Sequence, residues 1–527
     1  MSFKSIGIVG GGTSGYLTAL TLSKLVPHKR ISIIESSKIP VIGVGESTTP
    51  KLLRMLHEVL EFDLAEFYAE VKPTWKLGVQ YYWGNKEKEF YNNALGYINP
   101  FLSHEVKQDI NYNSLNSVLM NHNKSFIIET SDEKKPYRSL AIPHSYAYHL
   151  DNQLLVKYLQ KKIKAAGIDI IDAKIKDTIR KENGDIKSLI SEENQEYNFD
   201  FFVDCSGFSS ILLEKTMKVP FKDFKSSLFT DTAITASDDH CGVIKPYTEA
   251  RTMNNGWQWT IPMQSTDHLG YVFSSSFSSE EDAEKEFRTL NPRIEDTKTI
   301  RFRSGRHTDF IKGNIAAIGN SYGFIEALQS TALHMVITNI YALVLHLKNL
   351  EKEKDYGSII NENLGEIWDR LRWFIAIQFK FNSRLDSEFW KCCRAEVDIS
   401  GAEELLELYH SVGPLYTLKG KNEAVNKLDQ FQIYGLFSHD FLLLIQGIYP
   451  QKPPFKISSD ERKSWLKKYK LWDQIALKSL PQHEVLQKIS ENPEILEFEK
   501  FFDSPFLLDR EFDFLNKVNI ADFIIKC

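Results

Sequence analysis

The sequence predicts an α/β fold: a Rossmann-type dinucleotide-binding unit, an inserted antiparallel sheet and a helical C-terminal part. Three observations predict it. The first is the apolar run Ile6-Gly7-Ile8-Val9, which stops in Gly10-Gly11-Gly12-Thr13-Ser14-Gly15 and continues as a helix from Tyr16 to Leu25. The second is a second apolar run, Ile31-Ser32-Ile33-Ile34, which ends in Glu35, about twenty residues after the last glycine. The third is the change of pattern along the chain, from polar-turned strands over 215–300 to helical stretches after 346.

Each part of the first unit has a physical job. Gly10 permits a tight turn, Gly12 lets backbone approach a pyrophosphate, and Gly15 lets the helix sit close on the strand. Thr13 and Ser14 open a helix whose free N–H groups face the anion. Glu35 stands where the fingerprint places its partner for the ribose 2′-hydroxyl.

Bulk properties exclude other classes. At 527 residues the chain is too long for one simple core, so two or three subdomains are expected. A net charge of −6, with Lys and Arg spread along the chain, gives no footing for nucleic acid. The five cysteines have no C-x-x-C spacing, and Cys392-Cys393 are adjacent, which suits neither a zinc site nor an easy disulfide. His104, His144, His149 and His240 show no ligand spacing, so no metal is expected. No signal peptide is read ahead of the first strand. The apolar run Ala332 to Leu347 carries His334, Thr338, Asn339 and His346, too polar to span a bilayer. The expected compartment is the reducing cytoplasm, without a membrane.

Further along, residues 39–50 form a Gly- and Thr-rich loop that ends in Pro50, the expected first turn of a helix over 51–60. Residues 73–83 read as one strand, with Lys76 between Trp75 and Leu77. A lysine there is either the solvated face of that strand or an amine shielded by aromatics, able to donate a hydrogen bond or act as a nucleophile. Asp151 caps a helix that Gly167 ends, and the strand Phe201-Phe202-Val203 stops in Asp204-Cys205-Ser206-Gly207. Residues 215–300 read as a meander in which Trp257, Trp259 and Ile261 share one face. Asn314 to Ser321 is another buried strand, reaching Gly319. A helix from Thr331 to Leu347 follows and offers a second anion site at its N-terminus. Helices are expected over 360–381, 402–409, 460–479 and 484–489.

Taken in order, these motifs resemble the flavin-dependent halogenases of the tryptophan-halogenase type. Gly-Gly-Gly-Thr-Ser-Gly at 10–15 is followed by Gly-Val-Gly-Glu-Ser-Thr at 43–48, Lys76, Asp-Cys-Ser-Gly-Phe at 204–208 and Trp-Gln-Trp-Thr-Ile-Pro at 257–262. Phe374-Ile375-Ala376-Ile377 and Asp386-Ser387-Glu388-Phe389-Trp390 are similar to family sequence too, and the match fades after about 390. The resemblance implies an FAD-binding, flavin monooxygenase-like body over 1–345, with sheet insertions at about 77–150 and 215–300. It also implies a helical part over 346–527 that covers the substrate.

It further implies a reaction. Reduced FAD from a separate flavin reductase, oxygen and a halide (chloride, bromide or iodide) give hypohalous acid. The acid passes down a tunnel to an electron-rich aromatic such as an indole or phenol. Lys76 catches it, as a haloamine or through a hydrogen bond, because free hypohalous acid is indiscriminate unless held beside the ring. Trp257, Trp259, Ile261 and Pro262 resemble the tunnel element that keeps flavin from hydroxylating the substrate. Ser330, Thr331 and Ala332 match the halide site, and Leu333 follows on the flavin side. Val44, Gly45, Glu46 and Ser47 match the flavin strap, and Gly319 joins the cofactor set.

Two departures stand out. The family's Glu-Pro-Leu-Glu-Ser-Thr-Gly is here Glu326-Ala327-Leu328-Gln329-Ser330-Thr331-Ala332. The glutamate that partners the lysine is therefore Gln329, an amide that hydrogen-bonds but takes no proton. The expectation is that Gln329 orients the hypohalous acid, with Glu326 the nearest spare carboxylate. The family's His-Pro-Phe in the aromatic sandwich is here Asn99-Pro100-Phe101, whose Phe101 still stacks on a flat ring. The family's contacts to the tryptophan carboxylate and amine are not found in residues 400–527, so free tryptophan is not the expected substrate. An FAD-dependent aromatic monooxygenase and a flavin-binding pseudo-enzyme are the alternatives, and a homo-oligomer is left open.

Overall fold

The computed structural model describes residues 3–39, 45–96, 109–141, 145–352, 354–430, 432–451 and 458–496. Its first layer is a six-stranded sheet in the order Asp169–Asp172, Arg30–Glu35, Ser5–Val9, Phe201–Asp204, Ile315–Ala317 and Ile311–Lys312. The first five strands are parallel and the last turns back antiparallel. Helices Thr13–Leu25 and Thr331–Leu350 pack against each other beside this sheet. Ile6, Ile8, Ile33, Phe202 and Ala316 are therefore fully buried and their strands read as unbroken apolar runs.

The second layer is a seven-stranded sheet: Lys298–Arg301, Thr232–Asp238, Asp267–Phe273, Gly256–Pro262, Thr248–Met253, Gly78–Tyr82 and Tyr91–Ala94. It is antiparallel except where Gly78–Tyr82 runs parallel to Thr248–Met253, the seam between two distant stretches of sequence. The 215–300 stretch is not strands alone. Helix Glu280–Leu290 interrupts it, capped by Ser279 accepting from the Asp282 N–H, with three acidic residues in its first turn.

One of the three-stranded sheets matters most for the site. Ala147–Asp151 lies between Gly45–Ser47 and Thr74–Lys76, antiparallel to both. The expected single strand over 73–83 is thus two strands in two sheets. Leu77 separates them, its N–H donating to Pro246 O at 2.7 Å. The helix expected over 51–60 is α-helical only over Pro50–Leu53 and π-helical over Arg54–Val59.

Asp151 caps helix Asn152–Ala165 as expected, accepting from the N–H groups of Gln153 and Leu154. The C-terminal part is helical, with Gly357–Lys380, Glu403–Val412, Gly435–Ile445, Ser459–Lys478 and Gln482–Glu491. It is tied to the body where Gln482 accepts a hydrogen bond from the Trp75 N–H. One helix, Thr331–Leu350, is long and apolar enough by composition to cross a membrane, and most of it is buried inside the protein.

Candidate active site

The dinucleotide cradle is built as its glycines require. Gly10 has φ +121°, and a Cβ there would lie 2.3 Å from Cys205 O. A Cβ on Gly15 would lie 1.9 Å from Gly10 O, so strand and helix touch backbone to backbone. Gly12 is different: a Cβ there would meet nothing within 4 Å. It opens helix Thr13–Leu25 with no side-chain cap, so the first N–H groups face that open space. Thr13 Oγ1 donates to Asn152 Oδ1 at 2.7 Å, and a Cβ on Gly319 would sit 2.6 Å from Ser14 Oγ. Glu35 leans over Gly11 and accepts from the Tyr16 hydroxyl at 2.7 Å, a partner the sequence did not announce. An uncapped helix end, an unfilled glycine cradle and a carboxylate at the end of the second strand fit an adenine dinucleotide such as FAD.

A second uncapped helix start follows Ser330. Ser330 holds φ +58° and begins helix Thr331–Leu350 without a side-chain cap. A small cleft there is lined by Gly319, Asn320, Gly323, Phe324, Thr331 and Ala332, so the residues expected for halide meet one expected for flavin. Leu333 is buried just behind. Glu46 is half-buried on the Gly45–Ser47 strand, and burial pushes its carboxyl up to about 7. Ser47 Oγ lies 2.9 Å from Ser330 Oγ. Val44, Asn99, Pro100 and Phe101 lie outside the described residues.

Lys76 is not on a solvated face: it is 2% exposed. Its Nζ donates to Ser330 Oγ at 2.7 Å and to Thr48 O at 2.9 Å. Burial pushes the amine down to about 7, close to the point where it is half neutral at physiological pH. Ser330 is therefore the joint of the site. Its hydroxyl receives the lysine, and the next residue lines the cavity beside Gly319.

Gln329 does not bond to Lys76. Its Nε2 donates to Gln378 Oε1 at 2.7 Å, and its carbonyl accepts from Tyr434 OH at 2.8 Å. Gln378, a lone amide on the apolar face of helix Gly357–Lys380, is the residue that sequence reasoning missed. Its signal was a polar residue directly after Phe374-Ile375-Ala376-Ile377. Glu326 makes its hydrogen bonds away from the lysine. It accepts from Trp257 Nε1 at 3.0 Å and from Thr230 Oγ1, and burial raises its carboxyl to about 7. Trp257 and Ile261 are buried and Trp259 half-buried, with the two indole centroids 5.9 Å apart. Pro262 O accepts from Thr74 Oγ1 at 2.6 Å. The described residues contain no cluster of three or more His, Cys, Asp or Glu able to hold a metal ion.

The sequence model of the tryptophan halogenases matches residues 5–456. The chain belongs to the tryptophan halogenase family. Tryptophan 7-halogenase RebH from Lentzea aerocolonigenes is 28% identical over 431 residues, covering 77% of this chain and 81% of that protein. The solved structure of MibH, a lanthipeptide tryptophan 5-halogenase, is 36% identical with a TM-score of 0.89, covering 97% of this chain and 98% of that one. A flavin-dependent halogenase from Xanthomonas campestris shares the fold at 23% identity, with a TM-score of 0.79 and coverage of 93% and 98%. The chain is accordingly a flavin-dependent halogenase, an oxidoreductase that uses FAD as FADH2 together with a halide. Enzymes of this kind draw on a separate flavin reductase and act on an aromatic substrate.

Proposed function

We propose that this halogenase delivers its halogen through Lys76 to an electron-rich aromatic ring, an indole carried in a peptide rather than free tryptophan. When bound as FADH2, the cofactor supplies with oxygen the oxidation of halide to hypohalous acid. Gly10, Gly12, Thr13, Ser14, Gly15, Glu35, Glu46 and Gly319 hold the cofactor, and the N–H groups that open the Thr331–Leu350 helix hold the halide. The observation that carries the reading is the buried Lys76 amine bonded to Ser330, the neighbour of the cavity-lining Thr331. An amine shielded from water and partly neutral can take or polarise the halogen and hold it beside the ring. Trp257 and Trp259 separate the two ends.

The peptide substrate rests on the 36% identity over nearly the whole chain to the lanthipeptide enzyme. A dedicated reductase in the cytoplasm would supply FADH2, and the helices after 346 would cover the peptide. The test is an assay with reductase, FAD, oxygen and each halide against free tryptophan, small indoles and phenols, and tryptophan-containing peptides, read by product mass. Halogenated peptide is expected, and Lys76→Ala is expected to bind FAD and halogenate nothing. Halogenation by Lys76→Ala at the native rate would overturn the role of the lysine, and a preference for free tryptophan would overturn the substrate.

A further inference from the structure

Lys76 stands at one end of a row of hydrogen bonds that runs deep into the protein. Nζ donates to Ser330 Oγ at 2.7 Å, Ser330 Oγ lies 2.9 Å from Ser47 Oγ, and Ser47 Oγ lies 2.6 Å from Thr248 Oγ1. Thr248 Oγ1 is 2.9 Å from His149 Nε2, and His149 Nδ1 is 3.2 Å from Thr74 Oγ1, which donates to Pro262 O at 2.6 Å. Three strands of the small sheet, one of the large sheet and, through Ser330, the start of helix Thr331–Leu350 contribute these side chains.

The two ends fix every bond between them. A carbonyl only accepts, so the single hydroxyl proton of Thr74 goes to Pro262 O and His149 Nδ1 must donate to Thr74. The neutral ring then has Nε2 free to accept, so Thr248 donates to it. Ser47 must donate to Thr248, Ser330 to Ser47, and the ammonium, which only donates, completes the row. All donors point from Lys76 to His149. His149 is fully buried, and burial and the Lys76 charge hold its ring neutral, ready to accept.

We propose that His149 takes up the proton that Lys76 gives up, by way of Ser330, Ser47 and Thr248. This rests on Lys76 being the halogen carrier. The ammonium passes a proton to Ser330, each hydroxyl passes on its own, and Nε2 receives the last, so ammonium and imidazole become amine and imidazolium. The amine lone pair then takes the halogen of hypohalous acid. The oxygen–halogen bond breaks, and the departing hydroxide leaves as water with an amine proton. When the ring carbon takes the halogen, the nitrogen–halogen bond breaks and the proton displaced from the ring ends on the Lys76 nitrogen.

The pocket keeps one positive charge throughout, first on Lys76 and then on His149. Burial, the larger cause of the ring's neutrality, remains, but loss of the ammonium removes the second cause, its repulsion of a charged ring. The transfer leaves each hydroxyl turned round, set for the return. A row of this kind supplies the proton handling that Gln329, an amide bonded to Gln378, does not.

The test uses the full chain loaded with oxidised FAD and mixed with equimolar hypochlorite. Haloamine on Lys76 is followed by its oxidation of a thiol reporter, with Lys76→Met as blank and thermal melting as the check on folding. Thr248→Val preserves shape but removes one link, and His149→Gln keeps hydrogen bonding but holds no proton. Both are expected to slow haloamine formation on the order of 10²-fold and to lose its solvent deuterium effect. Thr248→Ser, which returns the hydroxyl, is expected to recover both. Native rate and isotope effect in folded Thr248→Val would overturn the relay, whereas equal haloamine in Lys76→Met and native enzyme would overturn the reading of Lys76 itself.

Discussion

Replacing Lys76 with methionine is expected to stabilise the protein while abolishing halogenation. The amine has its ordinary value of 10.5 lowered to about 7 by burial. At ~1.4 kcal/mol for each tenfold change in proton affinity, that is a folded-state cost of about 5 kcal/mol below pH 7. Methionine has a similar shape and needs no proton. It leaves Thr48 O without its donor, a loss of about 1–3 kcal/mol, while Ser330 Oγ keeps its bond with Ser47 Oγ. The net gain below pH 7 is therefore about 2–4 kcal/mol.

The sign follows from proton counting. Between about pH 7 and 10.5 the unfolded chain binds more protons at this lysine than the folded one, so native stability rises with pH there. The advantage of Lys76→Met should shrink over that window and reverse above it, where only the lost hydrogen bonds remain. Thermal melting of flavin-free native and variant protein at pH 6, 8 and 10 measures this. A variant that melts below the native protein at pH 6, or a difference that does not change with pH, refutes a charged and costly buried amine.

Gly12→Val should leave the flavin-free protein as stable as native, because a Cβ there meets nothing within 4 Å and φ is −91°. It should abolish FAD binding in a fluorescence titration, since the side chain fills the space next to the free helix end. Glu326→Ala should cost about 1–3 kcal/mol, seen as a lower melting temperature, because Trp257 Nε1 and Thr230 lose a buried acceptor. In the same variant more hypohalous acid should reach an external scavenger per oxygen consumed, as Trp257 loosens. Gln329→Glu puts a carboxylate against Gln378 Oε1. It should force that amide to turn over and change the halogenation rate at constant FAD loading, and an unchanged rate would remove residue 329 from the chemistry.

The Rossmann unit was legible because its constraints are local. Gly10 and Gly15 meet backbone directly, and Asp151 caps the next two N–H groups. The four helices expected in the C-terminal part have ends within about three residues of those observed, as between 360–381 and Gly357–Lys380, whereas Glu388–Glu396, Glu423–Asp429 and Gly435–Ile445 were not read. The split of residues 73–83 was not, because nothing in Trp75-Lys76-Leu77-Gly78 shows that the strand changes partner there. Lys76 was legible as a candidate only through its place in a set of motifs; its burial depends on Thr48, Ser330 and the Ala147–Asp151 strand, all remote in sequence. Thr248 and His149 were missed as partners because hydrogen bonds between distant strands leave no spacing to read, and Gln378 because its helix is remote in sequence from residue 329.

Only Leu77 separates the lysine's strand from its continuation in the large sheet. One added residue would advance an extended chain by ~3.3 Å and turn its side chains to the opposite face. The amine would then lose Ser330, while both sheets could still form. Insertions and deletions in this enzyme should therefore be harmless in the surface turns of the 215–300 stretch and lethal to activity between Thr74 and Gly78, a tolerance map that deep scanning of chain length would draw directly.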